Sequence, residues 1–323
     1  MKCLITGSSG HLGEALALTL QKRGDEVVGL DVLKGVGTTR LGSIVDKGTV
    51  RDAMRGVEVV FHVATLHKPH VTSHDRQAFV DVNVTGTLNL LEAACEADAR
   101  AFVFSSTTSA FGDALVPAQG EPAAWIDEDV TAKPKNIYGV TKTAAEDLCQ
   151  IFSCNEGLDV VVLRTSRFFP EEDDDEAKRA AFEDENLKTN ELLYRRVDIE
   201  DVVSAHLLAA AKAPALKFRR YVISATTPFA ESDLAELSRN APRVVRRYVP
   251  EYEPIYASRG WKMAETIDRV YVNARAQAEL AWRPKHDFRS ALSRLADGER
   301  LASPLAREIG AKGYHREPGG VTG

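Results

Sequence analysis

The 323-residue chain predicts a doubly wound parallel α/β sheet joined to a smaller C-terminal lobe. Three observations carry that expectation. Short apolar runs alternate with helix-period segments over the first two-thirds of the chain, the order that builds βαβ units. The runs are apolar almost throughout, as strands need when helices cover both faces of a sheet. The first run ends in a glycine-spaced turn that opens directly into a helix.

Taken in order, "KCLIT" is the first strand and "LGEALALTLQKRG" the helix after its turn. "EVVGLD" is the second strand, "TVRDAMRG" a short helix and "VEVVFHVAT" the third strand. "AFVFSS" and "LDVVVLRT" follow, separated by helices near 75–97 and 138–154. Residues 167–198 carry few apolar residues and read as an excursion from the sheet. "IEDVVSAHLLAAAK" then returns to helix and "RRYVIS" to strand. The expected division is residues 1–166 with 199–224 as the sheet domain, and 167–198 with 225–323 as the lobe. In the lobe, Tyr248, Tyr252, Tyr256 and Trp261 read as core aromatics.

Composition removes several classes of function. No stretch approaches the roughly 18 apolar residues of a membrane span. The N-terminus lacks the apolar region and cleavage site of a secretory signal, so the chain reads as cytosolic. Cys3, Cys95, Cys149 and Cys154 show no C-x-x-C spacing and suit reduced thiols. A net charge of -6 argues against a nucleic-acid binder. The run "EEDDDE" at 171–176 supplies six negative charges by itself and reads as a solvated loop.

The turn "TGSSGHLG" places Gly7, Gly10 and Gly13 at three-residue spacing between a strand and a helix. Glycine permits the tight turn and lets backbone N–H groups, here of Ser9, Gly10, His11 and Leu12, approach a diphosphate at the helix N-terminus. In this βαβ context the turn predicts a Rossmann-type dinucleotide site. Asp31 ends the second strand, where a carboxylate accepts hydrogen bonds from the adenosine ribose hydroxyls and repels a 2′-phosphate. NAD is therefore expected over NADP, and Arg40 is the residue whose return to this site would reverse that. His67, His70 and His74 invite a metal reading, but Pro69 breaks any helix that would align them. No metal is expected, and His67 is instead a candidate substrate contact.

The ordered pieces "TGSSGHLG", "FHVAT", "NVTGTLNLLEAA", "VFSSTTSAFGD", "YGVTK", "LRTSRFFP", "VDIEDVVSAHLLAA" and "ARAQAELAWRPKHDF" resemble the extended short-chain dehydrogenase/reductase family, also called the NAD-dependent epimerase/dehydratase family. The resemblance covers about residues 1–290. It implies that Tyr138 and Lys142, four apart and so on one helix face, act at the bound nicotinamide. A tyrosine pKa of about 10 must fall for the phenol to act as a base, and a nearby ammonium and the nicotinamide charge would lower it. Thr107 is the implied hydroxyl partner, with Ser106 as the second choice. The resemblance also implies cofactor contacts from Ala64, Thr65, Ser105 and Phe169, with Pro170 beside it, from Lys142 on the ribose hydroxyls, and from Asn83 in a supporting role. Thr108 is a substrate candidate.

Departures from the family pattern narrow the chemistry. Dehydratases follow the catalytic Thr with an Asp-Glu pair, whereas this chain reads Thr107-Thr108-Ser109. The implied reaction is therefore epimerisation of a sugar, with a nucleotide sugar foremost. Oxidation or reduction of a free sugar or another small carbonyl metabolite is the alternative. A cofactor-sensing regulator is disfavoured because both Tyr138 and Lys142 are present. Arg195 and Arg196 lie one position from the register of a diphosphate clamp, so they are expected to touch substrate. The acidic run would repel a diphosphate if it faced the pocket. A homodimer through helices 75–97 and 138–154 is implied as well.

Overall fold

The computed structural model describes residues 1–313. Its strands are, in chain order, β1 (Lys2–Thr6), β2 (Glu26–Asp31), β3 (Arg40–Leu41), β4 (Val59–His62), β5 (Ala101–Thr107), β6 (Ala124–Ile126), β7 (Val160–Thr165), β8 (Phe218–Ile223) and β9 (Arg269–Tyr271). Seven of them form one parallel sheet in the order β3-β2-β1-β4-β5-β7-β8, and β6 pairs with β9 separately. The strand order reverses between β1 and β4. A crevice opens there, at the carboxyl ends of the strands.

The helices that matter for the crevice are α1 (His11–Lys22), α2 (Lys47–Met54), α3 (Arg76–Val80), α4 (Gly86–Glu96), α5 (Ile137–Glu156), α6 (Glu176–Ala181), α7 (Asp184–Glu191) and α8 (Ile199–Leu216). Leu12 and Leu16 of α1 and Val202 and Ala209 of α8 pack on Ile5, Phe61 and Val103. Val50, Leu90, Ala145 and Cys149, from α2, α4 and α5, cover the other face on Leu4, Val60 and Phe102. Neighbouring strand residues thus feed opposite cores, which explains the unbroken apolar runs. The expected 75–97 helix is interrupted at Asp81–Thr85 by a π turn that carries Asn83.

The lobe has its own core, including Leu193, Val245, Tyr252, Tyr256, Trp261 and Phe288. The aromatic cluster is therefore packing, as expected. Ala276, Leu280 and Trp282 leave that core and join the α1/α8 side of the sheet. Asp201 on α8 fastens this return, its carboxylate accepting from the Lys285 and His286 amides at 2.8 and 2.9 Å. The strands β3, β6 and β9 are two or three residues long, too short to show a period in sequence. Among the described residues, no helix is long and apolar enough to cross a membrane.

Candidate active site

A cavity of about 780 Å³ fills the crevice. Gly7, Ser9, Gly10, His11 and Leu12 line one end. Gly7 has φ +70°, and a Cβ there would stand 2.8 Å from the Ala64 backbone. A Cβ on Gly13 would meet the Gly7 carbonyl oxygen at 1.9 Å. Gly13 does not line the cavity; it lets α1 seat against the turn. No side chain caps the N-terminus of α1, so its first-turn N–H groups are left for an anion. Asp31 is fixed beside them, accepting from the Ser9 and Leu33 amides at 2.9 Å each. Ala64 and Thr65 line the same wall, whereas Arg40 is exposed on β3 and outside the lining. These groups fit the diphosphate and diol of a dinucleotide.

The floor comes from β5 and α5. Asn136 caps α5 by accepting from the Gly139 amide at 3.0 Å, which sets Tyr138 and Lys142 one turn apart. Tyr138 is 8% exposed and lines the cavity with Thr107. Burial pushes its phenol up to about 12, with the Thr107 contact opposing. The expected acidification by Lys142 is not present. The Lys142 ammonium donates to the Ser105 carbonyl at 2.7 Å and lies 3.9 Å over the Phe104 ring, beneath the floor and outside the lining. Burial brings that amine down to about 7, partly offset by the Glu146 carboxylate one turn further along.

Glu146 also decides between the two hydroxyl candidates. It accepts from Ser106 Oγ at 2.5 Å and from both Nε and a terminal nitrogen of Arg164, all of it buried. Ser106 lines the cavity too, but its hydroxyl is engaged with Glu146, which leaves Thr107 as the hydroxyl that can act on the phenol. Thr107 also caps the next turn, accepting from the Ser109 amide at 3.1 Å. Ser105 lines the cavity and donates to His206 Nε2 at 2.7 Å, a direction fixed because His206 Nδ1 donates to the Val202 carbonyl. Asn83 is buried away from the lining. It ties the Leu66 backbone to Thr141 on α5, at 2.9 to 3.0 Å.

The far end corrects two expectations. The acidic run is only in part a solvated loop. Glu171 sits 3.0 Å from His11 Nε2 and accepts from the Lys312 amide; burial opposes its charge, yet these contacts hold the carboxyl at about 2. Asp173 lies between Arg167 and Arg195 at 3.4 and 3.1 Å, and Asp174 is 3.3 Å from Lys68. Asp173 and Asp174 meet cations from other segments and Glu171 meets the His11 ring, while Glu172, Asp175 and Glu176 stay exposed to water. Arg195 is further paired with Glu191. Arg196 is bound to Glu191 and to the Phe169 carbonyl at 2.9 and 3.0 Å, and faces a smaller neighbouring cavity of about 250 Å³. The two arginines do not form a joint clamp.

His67 stacks on Phe169 with ring centroids 5.5 Å apart, and both line the main cavity with Thr108. Lys68, Arg167, Arg269 and Tyr271 line it too. Arg167 lies inside "LRTSRFFP" and its charge was visible there. Arg269 and Tyr271 arrive on β9, which carries no sequence signal. Among the described residues, no group of three His, Cys, Asp or Glu is arranged to hold a metal ion.

Comparison with known proteins places this geometry. The UDP-glucose 4-epimerase of Rhizobium meliloti is 34% identical over 171 residues, 50% of this chain and 50% of that protein. The chain spans about half the length of the curated relatives it matches at this level. The UDP-glucose 4-epimerase of Lactobacillus helveticus aligns at 25% identity over 321 residues, 89% of this chain and 93% of that protein. A solved short-chain dehydrogenase/reductase superfamily protein from Agrobacterium tumefaciens, with bound NAD, superposes with a TM-score of 0.65 at 23% identity, covering 95% of this chain and 99% of that one. The model of the NAD dependent epimerase/dehydratase family matches residues 3–224. The chain belongs to the NAD dependent epimerase/dehydratase family.

Proposed function

We propose that this protein is an NAD-dependent nucleotide-sugar epimerase, which oxidises a secondary alcohol carbon of the sugar and reduces it again from the opposite face. The carrying observation is the Tyr138–Thr107 pair on the floor of a cavity whose far wall is the glycine turn and Asp31. The resemblance of the chain to proteins named UDP-glucose 4-epimerase supports the substrate class. NAD, when bound, supplies a hydride acceptor and donor and a positive charge.

The remaining work falls to side chains of this chain. Backbone N–H groups of the first turn of α1, which the glycine turn leaves open to the cavity, hold the diphosphate, and Asp31 accepts from the ribose hydroxyls. Thr107 orients the substrate oxygen while Tyr138 takes its proton and later returns it. A phenol at about 12 is almost wholly protonated at neutral pH and so cannot yet accept a proton, and turnover depends on positive charge gathering near Tyr138 to free the phenolate. Lys142 contributes by holding the Ser105 carbonyl and the floor of the site.

The test starts from purified protein. Denaturation should release NAD, and the native protein should interconvert UDP-hexoses without net NADH. Accumulation of NADH with a free sugar would refute epimerisation. A second reading, oxidation or reduction of a smaller uncharged metabolite, is favoured by the Glu171 and Asp174 carboxylates that line the cavity. Consumption of added NADH by such a carbonyl, with no sugar turned over, would establish it. The chain is also read as a cytosolic homodimer, on the strength of its free cysteines and of exposed Val140 and Ile151 three turns apart on α5.

A further inference from the structure

Asp173 occupies an unusual position. It is 8% exposed and belongs to the acidic segment that closes the far end of the main cavity. Its Oδ2 is shared by two guanidiniums, those of Arg167 and Arg195, while its Oδ1 accepts from the Asp175 amide at 2.9 Å. The arginines come from separate segments held in register by backbone bonds, Arg167 N to Arg195 O and Val197 N to Arg167 O. Both line the cavity.

One carboxylate oxygen cannot satisfy two guanidinium forks, each of which presents a row of donors. The structure bears this out: Nε of Arg167 and Nε of Arg195 are buried and have no hydrogen-bond partner among the described residues. Arg167 uses another nitrogen on the Glu172 carbonyl at 2.8 Å, and Arg195 another on Glu191. A buried N–H left unpaired is costly, so a ligand that supplies an acceptor is favoured. A phosphate, with several oxygens on one centre, would satisfy donors that Asp173 leaves unmet.

We propose that Arg167 and Arg195 form an anion subsite of the main cavity, and that Asp173 is an internal stand-in which the substrate's anionic group displaces. This rests on the reading that the substrate is a nucleotide sugar, whose diphosphate is then that group. Arg196, the other expected clamp residue, has no part in it. The segment 171–176 thereby sets specificity. A substrate must carry enough negative charge to evict a carboxylate, and a neutral analogue gains nothing from the arginines.

The test uses the full chain saturated with NAD, so that the glycine turn is filled, at low salt. UDP and inorganic pyrophosphate are titrated calorimetrically into wild type, Asp173→Asn and Arg167→Gln. Asp173→Asn should bind both probes about tenfold more tightly than wild type, and Arg167→Gln about tenfold more weakly. Unchanged or weaker binding by Asp173→Asn, or unchanged binding by Arg167→Gln, overturns the subsite. If Asp173→Asn does not fold, the Arg167→Gln titration decides alone. Tighter pyrophosphate binding without turnover of any nucleotide sugar would keep the subsite and reject the proposed function. Turnover of UDP-hexose with the same KM in both variants would do the reverse.

Discussion

The two walls of the cavity are built by opposite means. On the sheet wall, each functional group is placed by the geometry of its own element. Gly7, Gly10 and Gly13 follow the turn into α1, Asp31 ends β2, and Tyr138 and Lys142 share one face of α5. On the wall formed by residues 167–196, groups are placed by charges that meet across the chain: His11 with Glu171, Lys68 with Asp174, Arg167 and Arg195 with Asp173. Steric and periodic placement allows little adjustment, because backbone atoms stand where a side chain would go. Ionic placement can be exchanged for another ion of the same sign. On the proposed function, the chemistry belongs on the first wall and substrate choice on the second.

The largest expected effect would break the first wall. Tyr138→Phe removes the proton acceptor and leaves the packing of a ring that is 8% exposed. Turnover should fall by about 10²–10⁴-fold while bound NAD and Tm stay as in wild type. Retention of more than a tenth of the activity would place the acid/base elsewhere.

A smaller effect separates chemistry from stability on the same wall. Lys142 is held at about 7 in the fold against 10.5 in the unfolded chain. Between those values the unfolded chain binds a proton that the folded chain does not, so wild-type stability rises with pH through that window. The burial penalty is full below pH 7. Lys142→Met should therefore raise Tm by a few degrees at pH 6.5, and the gain should shrink toward pH 10, while activity is lost. A gain that grows with pH would contradict the buried, charge-penalised amine.

The smallest effect is expected on the second wall. The Lys68–Asp174 pair is partly exposed, with side chains 61% and 30% accessible. Lys68→Ala should change stability by about 0–1 kcal/mol, within the scatter of a thermal melt. A fall of several degrees would mean that this wall is as rigid as the sheet.

The same contrast sets what could be read from sequence. The strands β1, β2, β4, β5, β7 and β8 and the helices α1, α5 and α8 announce themselves through apolar runs and periodicity. The turn, Asp31, Tyr138 and Thr107 follow from them because each lies at a fixed offset from an element. The acidic run reads as solvated, which holds for Glu172, Asp175 and Glu176 but not for Glu171 and Asp173, since nothing local tells a carboxylate that it will meet His11 or Arg195. Arg196 looked like its neighbour Arg195, yet successive residues point apart, and it turned to the smaller cavity. Asn83 stands out in the sequence but sits in a π turn, where its amide bridges Leu66 and Thr141. The Lys142 amine depends on a rotamer, and its place at the Ser105 carbonyl has no sequence correlate.

The most direct measurement follows one atom. UDP-hexose carrying deuterium on the carbon to be inverted is converted in ordinary water by the NAD-loaded protein, and the product is examined by mass spectrometry. Full retention of deuterium on that carbon is predicted, because the hydrogen leaves and returns as hydride without meeting solvent while Tyr138 handles only the hydroxyl proton. Replacement of the deuterium by solvent hydrogen would contradict the account, since inversion would then run through proton abstraction from carbon.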